Sequence, residues 1–183
     1  MAPRRVENYI EPIQAPFEQI VARLVDGEAQ GEFIRVPKNF PKSPLGDPGG
    51  KNRAIKAIYS CIPESETKLC SPFLGGASIE LACTPTIEVH GCDIFGPLVD
   101  FWQELTENPD VLADRVARYY PLSRTKFYNL QKRFMNLDSK LERAAAFYVL
   151  NRSSYSGTTL SGGMSPGHPR FTESSIERLR ISH

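Results

Sequence analysis

The residues best suited to chemistry cluster in a few short stretches. Ser71-Pro72-Phe73-Leu74-Gly75-Gly76 ends an apolar run on two adjacent glycines. A nucleoside-bearing ligand must approach the backbone closely, and a Cβ at such a turn would block it. Asp93 closes the next apolar run. A carboxylate at a strand end beside a glycine-rich turn can accept hydrogen bonds from both hydroxyls of a ribose. Each feature also fits a plainer reading, an ordinary strand–turn–helix and a capping aspartate. Their combination favours a nucleoside cofactor. A second glycine-rich segment, Asp47-Pro48-Gly49-Gly50-Lys51, invites comparison with a phosphate loop. That loop needs four residues between its first glycine and the Gly-Lys pair, then Ser or Thr. Here only Asp47, Pro48 and Gly49 separate Gly46 from Gly50-Lys51, and Asn52 follows. Nucleoside triphosphate binding is therefore disfavoured.

The elements that must hold these residues follow from local patterning. Residues 68–73 read as a strand, 77–82 as a short helix and 86–92 as a second strand with Ile87 and Val89 on one face. Leu98, Phe101, Trp102 and Leu105 have helical spacing. Asn108-Pro109-Asp110 is a helix-start signal, Ser123 caps a helix with Phe127, Leu130 and Phe134 on its inner face, and Ser139 with Glu142 has capping-box spacing. The helix from Ser139 is expected to reach about Leu150, and FTESSIERLR to form a last one. Between them lies a Ser/Thr/Gly-rich loop, read as open to a hairpin and kept mobile by Gly162 and Gly163. Near the start, Phe17, Ile20, Val21 and Leu24 predict a helix over 16–25, with Pro16 at its first position.

In this order the motifs resemble those of the Dam-type (D12 class) adenine-specific DNA methyltransferases. Pro72-Phe73 with Gly75-Gly76 matches the family's Gly-rich strand end, although Ser71 stands where most members carry Glu or Asp. Gly49, Gly50 and Lys51 match its Gly-Gly-Lys segment but lack the usual Trp-Ala before it. Asn151-Arg152-Ser153-Ser154-Tyr155-Ser156-Gly157 matches its Asn-Arg-x-x-Tyr/Phe-x-Gly element. The resemblance runs from about residue 43 to 180. It implies a partial α/β Rossmann-like S-adenosylmethionine-dependent methyltransferase fold with a helical target-recognition insertion. It implies S-adenosylmethionine as cofactor, held by Gly49, Gly50, Lys51, Phe73, Gly75, Gly76 and Asp93. It also implies double-stranded DNA as partner, read by Asn151, Arg152, Tyr155, Ser156 and Gly157. An Arg can bridge phosphates or a guanine edge, and a loop-tip aromatic can wedge between bases when one is extruded. A surface loop with a stray arginine is the bland alternative. The chain divides accordingly into an extension (1–42), a cofactor-binding part (43–106) and a helical target-recognition region (107–183).

The family's catalytic signature is an Asp-Pro-Pro-Tyr-like tetrapeptide, and no Pro-Pro pair occurs in these 183 residues. No catalytic residue is therefore assigned. The favoured expectation is a portion of a split enzyme completed by a second chain carrying the tetrapeptide. An inactive DNA-binding remnant or an adaptor is the alternative. A lone chain would leave the Gly-rich strand with an unpaired edge, an aggregation liability.

Composition is consistent with this and narrows little. A net charge of +1 gives no global pull toward nucleic acid, so any DNA surface must come from local clusters, the richest lying between Arg115 and Arg152 and around Arg170, Arg178 and Arg180. Cys61, Cys70, Cys83 and Cys92 lack C-x-x-C or zinc spacing and read as small core residues; no metal site is expected. No apolar run approaches the roughly 20 residues of a membrane span. The polar start after Met1-Ala2-Pro3-Arg4-Arg5 is not a secretion signal. An intracellular, bacterial or phage-like setting is expected.

Overall fold

A computed structural model describes residues 37–46, 54–165 and 170–181. The helix expected over 16–25 and the residues Gly49, Gly50 and Lys51 lie outside the described residues. The described chain builds two hydrophobic clusters, one beneath a small sheet and one among helices.

The sheet-bearing part contains α1 (Ile55–Tyr59), β1 (Lys68–Ser71), α2 (Ser78–Cys83) and β2 (Glu88–Gly91). β1 and β2 pair in parallel, with Leu69 opposite Val89 and Cys70 opposite His90. Two parallel strands cannot be joined by a tight turn, so α2 makes the crossover. Side chains alternate across the strands. Leu69 and Val89 turn toward Ile55, Tyr59, Ala82, Cys83 and Ile87. Lys68, Cys70, Glu88 and His90 point the other way and stay exposed, with Glu88 pairing both Lys68 (3.3 Å) and His90 (2.8 Å). β1 stops at Ser71, short of Phe73, because Pro72 has no N–H to donate. The chain still tracks β2: the Leu74 amide donates to the Cys92 carbonyl (2.9 Å) and the Cys92 amide to that of Ser71 (2.7 Å).

The helical part contains α3 (Gly96–Glu107), α4 (Pro109–Ala117), α5 (Arg124–Arg133), α6 (Lys140–Ser153) and α7 (Glu173–Arg180). Leu98, Phe101 and Leu105 of α3 face inward, and Trp102 is half-buried beside them. Asn108 ends α3 and begins α4, whose first residue is Pro109. The Ser123 side chain accepts from the Lys126 amide (3.2 Å) and starts α5. Thr172 and Ser175 exchange reciprocal capping bonds at the start of α7. α6 is the central helix. Its residues 144–151 are buried all round, so it shows no amphipathic stripe. α3 lies along α6, α4 contacts both α6 and α7, and Phe101 stacks on Tyr148 with ring centroids 5.5 Å apart. Arg143 binds Asp100 (2.7 Å) and the carbonyls of Leu137 and Asp138, fastening α6 to α3 and to its own entry turn.

Three expectations need correction. Only Cys83 is a core residue; Cys61, Cys70 and Cys92 are exposed. The capping box at Ser139 is half made. Ser139 accepts from the Glu142 amide, but the Glu142 carboxylate turns to Arg115 of α4 and to Tyr119 just beyond that helix, a cation and a phenol within its reach. α6 runs past Leu150 to Ser153, making Asn151 and Arg152 helical residues rather than the beginning of a loop.

Candidate functional site

The turn after β1 is built around positive backbone torsions. Gly75 has φ +49°, a value that carries a steric cost for residues with a Cβ, and a Cβ built there would meet nothing within 4 Å among the described residues. The turn is thus open on the side where a side chain would stand. Ala77 also adopts the left-handed region (φ 52°) immediately before α2. Gly76, Ala77 and Ser78 are buried, and the Ser78 hydroxyl finds no hydrogen-bond partner among the described residues.

Asp93 sits at the end of β2 and grips this turn. One carboxylate oxygen accepts from the Gly75 amide (3.0 Å) and the other from the Phe95 amide (2.9 Å). A carboxylate has about four lone-pair sites, so acceptor capacity remains on both oxygens. Trp102 completes the arrangement by donating its indole N–H to the Gly75 carbonyl (3.0 Å). The tryptophan was legible as a helix residue facing a core. Its hydrogen bond to the turn was not, because it joins residues 27 positions apart. Ser71 donates to the Glu80 carboxylate, which fixes α2 against β1. Phe73 and Ile94, flanking the turn, are 84% and 100% exposed, an apolar rim unusual for side chains this large.

The second group of candidate residues lies at the end of α6 and in the loop after it. Tyr155 is 68% exposed, and Ser156 (φ 56°) beside it is exposed too. Arg152 is half-buried and donates two N–H groups to the Arg170 carbonyl (3.2 and 3.0 Å). Burial lowers its pKa and the positive charges of Arg178 and Arg170 push the same way, while Tyr148 opposes them. Asn151 is buried, and its carboxamide is engaged with Gly46 and Gly157.

The loop expected to be mobile is tied down. The Tyr155 amide donates to the Gly163 carbonyl (3.1 Å), the Ser165 amide to that of Ser153 (2.8 Å), and Gln131 reaches the carbonyls of Thr159 and Gly162. An antiparallel bridge pairs Ser154 with Met164, so the excursion closes like a hairpin. Several of the basic residues noted in the sequence are consumed within the fold. Arg115 pairs with Glu142, Arg143 with Asp100, and Arg180 with Asp110 and Asp114.

Comparison with known proteins decides the family. A family model described as D12 class N6 adenine-specific DNA methyltransferase matches residues 48–165. The chain belongs to that family. It is also similar to a DNA N-6-adenine-methyltransferase of Escherichia phage P1, with 26% identity over 148 residues. That alignment covers 76% of this chain and only 19% of the phage protein, so this D12-class chain spans about a fifth of that relative's length. Among the described residues no His, Cys, Asp and Glu side chains gather in a group that could hold a metal ion. None of the described helices is long and apolar enough to cross a membrane.

Proposed function

We propose that this chain is the cofactor-binding and DNA-recognition portion of an adenine-specific DNA methyltransferase, completed by a second chain or segment that carries an Asp-Pro-Pro-Tyr-like tetrapeptide. The observation that supports it most is the Asp93 carboxylate bridging the Gly75 and Phe95 amides beside an open glycine turn. Bound S-adenosylmethionine would supply the activated methyl group. The chain's own residues fit that group: the bare face at Gly75 admits it, and Asp93 keeps lone pairs for the ribose hydroxyls. Phe73 and Ile94 offer apolar surface beside the turn, and Gly76 supports it from below. Gly49, Gly50 and Lys51 are assigned to the methionine end of the cofactor on the family resemblance alone.

In this reading β1 and β2 are part of a larger Rossmann-like sheet, and the edge of β1 away from β2 accepts a strand from the completing segment. Residues 107–183 serve target recognition and 43–106 the cofactor, with 1–42 an extension. α3 nevertheless packs in the same core as α4–α7, so the two roles share a framework. Tyr155 and Ser156 present themselves to the duplex, Arg152 adds positive charge, and Asn151 and Gly157 act from below by fixing the loop.

Calorimetry with S-adenosylhomocysteine, in the presence of the completing chain, tests the cofactor assignment. Asp93→Ala should weaken binding by about 2–3 kcal/mol through loss of two charge-assisted hydrogen bonds. Unchanged affinity would refute it. For DNA, Arg152→Ala should lower affinity and flatten its salt dependence. Tyr155→Ala should spare much of the binding yet reduce the 2-aminopurine signal of base extrusion. Two variants that bind and flip normally would remove the loop from recognition. Adenine methylation by this chain alone would dispose of the completing segment.

A further inference from the structure

One helix of the helical part keeps its charge. Arg115, Lys140, Arg143 and Arg180 are each paired with a carboxylate of a neighbouring helix. α5 instead carries Arg124, Lys126, Lys132 and Arg133 and no acidic residue. All four are exposed, and among the described residues none of them is in an ion pair. The chain's net charge is only +1, yet α5 holds a local positive field.

The helix is also fastened to the loop that follows α6. Gln131 donates to the carbonyls of Thr159 (3.2 Å) and Gly162 (3.4 Å). The Tyr128 hydroxyl lies against Gly163, where a Cβ would stand 3.3 Å from it. Arg124, Tyr128 and Lys132 are spaced four residues apart and so form one ridge along α5. The Arg124 guanidinium sits over the Tyr128 ring, 5.9 Å from its centroid, which holds it on the loop side. Lys126 and Arg133 share the other flank, roughly 140–160° around the helix axis from Tyr128. The inner face is taken by Phe127, Leu130 and Phe134.

We infer that Arg124 and Lys132 form a second contact to the duplex, binding backbone phosphates alongside the Tyr155 loop. This rests on the functional reading above, which gives that loop to DNA. Eight residues of helix set the two cations about 12 Å apart along the axis, far enough for each to serve its own phosphate. Arg124 offers a planar fork to phosphate oxygens, and Lys132 a point charge on a flexible stem. Phosphate contacts carry no sequence information but fix how a protein lies on the duplex. Because Gln131 and Tyr128 tie α5 to the loop, the ridge sets the register at which Tyr155 meets the bases. Lys126 and Arg133, turned away from the loop, add to the field without docking.

The test measures duplex affinity of the full chain by fluorescence anisotropy over a range of salt concentrations. It compares the wild type with the ridge variants Arg124→Ala and Lys132→Ala and with the far-flank variants Lys126→Ala and Arg133→Ala. All four side chains are exposed, so each substitution leaves the core untouched. Each ridge variant should lower affinity about fivefold at low salt and reduce the slope of log K against log salt by about 0.9. The loss should be the same on two duplexes of unrelated sequence. Each far-flank variant should lose less than about twofold, with the slope unchanged. Far-flank losses as large as those of the ridge would mean a diffuse field and overturn the inference. A ridge loss confined to one duplex sequence would make these residues base readers and overturns it too. Ridge variants that bind the duplex like the wild type also overturn it while sparing the functional reading, and weaker capture of the completing chain by those variants would give the face to an acidic protein. Wild-type chain that binds no duplex refutes the functional reading itself.

Discussion

The helical part and the sheet-bearing part of this chain solve the burial problem differently. Around α6, Phe101, Leu112, Val116, Phe127, Leu130, Phe134, Tyr148, Leu150 and Leu179 are almost completely buried, with apolar neighbours contributed by every other helix of that part. Beneath the sheet the buried set is Ile55, Tyr59, Ala82, Cys83 and Ile87, and both strands are four residues long with one solvated face. A two-stranded sheet is marginal by itself. Here it is held by attachments: Asp93 to Gly75, Trp102 to the same glycine, and Leu74 to Cys92. The helical part is a framework. The sheet-bearing part is an open surface whose exposed Phe73 and Ile94 surround the turn proposed to meet the cofactor. Rigidity and access are thus assigned to different parts of the same chain.

Substitutions can break or sharpen this contrast. The largest effect is expected at Phe101, which has no exposed surface and touches the rings of Trp102, Phe147 and Tyr148. Phe101→Ala should cost about 3–5 kcal/mol in denaturant unfolding, and Leu69→Ala under the sheet roughly 1–2 kcal/mol. Equal costs would erase the distinction. Next comes Tyr148, whose hydroxyl donates to the Ser175 carbonyl at 2.7 Å and joins α6 to α7. Tyr148→Phe should cost about 1 kcal/mol by removing that buried hydrogen bond.

The same tyrosine gives a pH dependence. Burial raises its pKa, so the native state keeps the proton to higher pH than the unfolded chain does. The unfolded state then binds fewer protons, and stability falls as pH rises past about 10. That loss should shrink in the Tyr148→Phe titration, the remainder coming from Tyr59, whose pKa burial also raises. Thiol alkylation under native conditions should modify Cys61, Cys70 and Cys92 and spare Cys83, which is buried and whose pKa burial raises. Labelling of Cys83 at the same rate would mean that the sheet cluster opens freely. The smallest effect belongs to the solvated face: Lys68→Ala removes an exposed ion pair with Glu88 and should change stability by less than about 0.5 kcal/mol.

Much of this is legible in the sequence wherever the determinant is local. Pro109 after Asn108 and Ser123 before a helix act within one turn of chain, and each begins a helix where its pattern says. Leu98, Phe101 and Leu105 fall on one helix face by periodicity alone. The glycine turn and the strand-end Asp93 were readable for the same reason, since their side-chain and backbone requirements are short-range. Local patterning went astray where a distant partner outbid a near one. Glu142 leaves its capping role for Arg115, and Asn151 stays helical and buried because Gly46 and Gly157 satisfy its amide.

The sequence by itself determined the helix starts, the inward faces, the Gly-rich turn and the order of motifs by which the chain resembles the D12 family, because these depend on residue types a few positions apart. Only the tertiary structure decided that Trp102 supports the Gly75 carbonyl, that Arg115, Arg143 and Arg180 are spent on ion pairs between or within helices, and that Asn151 binds Gly46. Each of those contacts joins residues at least 27 positions apart, except the pairing of Arg180 with Glu177 inside α7 and Arg143's bonds to Leu137 and Asp138. Such partners are set by how distant segments pack against one another, and at the buried Asn151 also by the exclusion of water, conditions that no local spacing encodes.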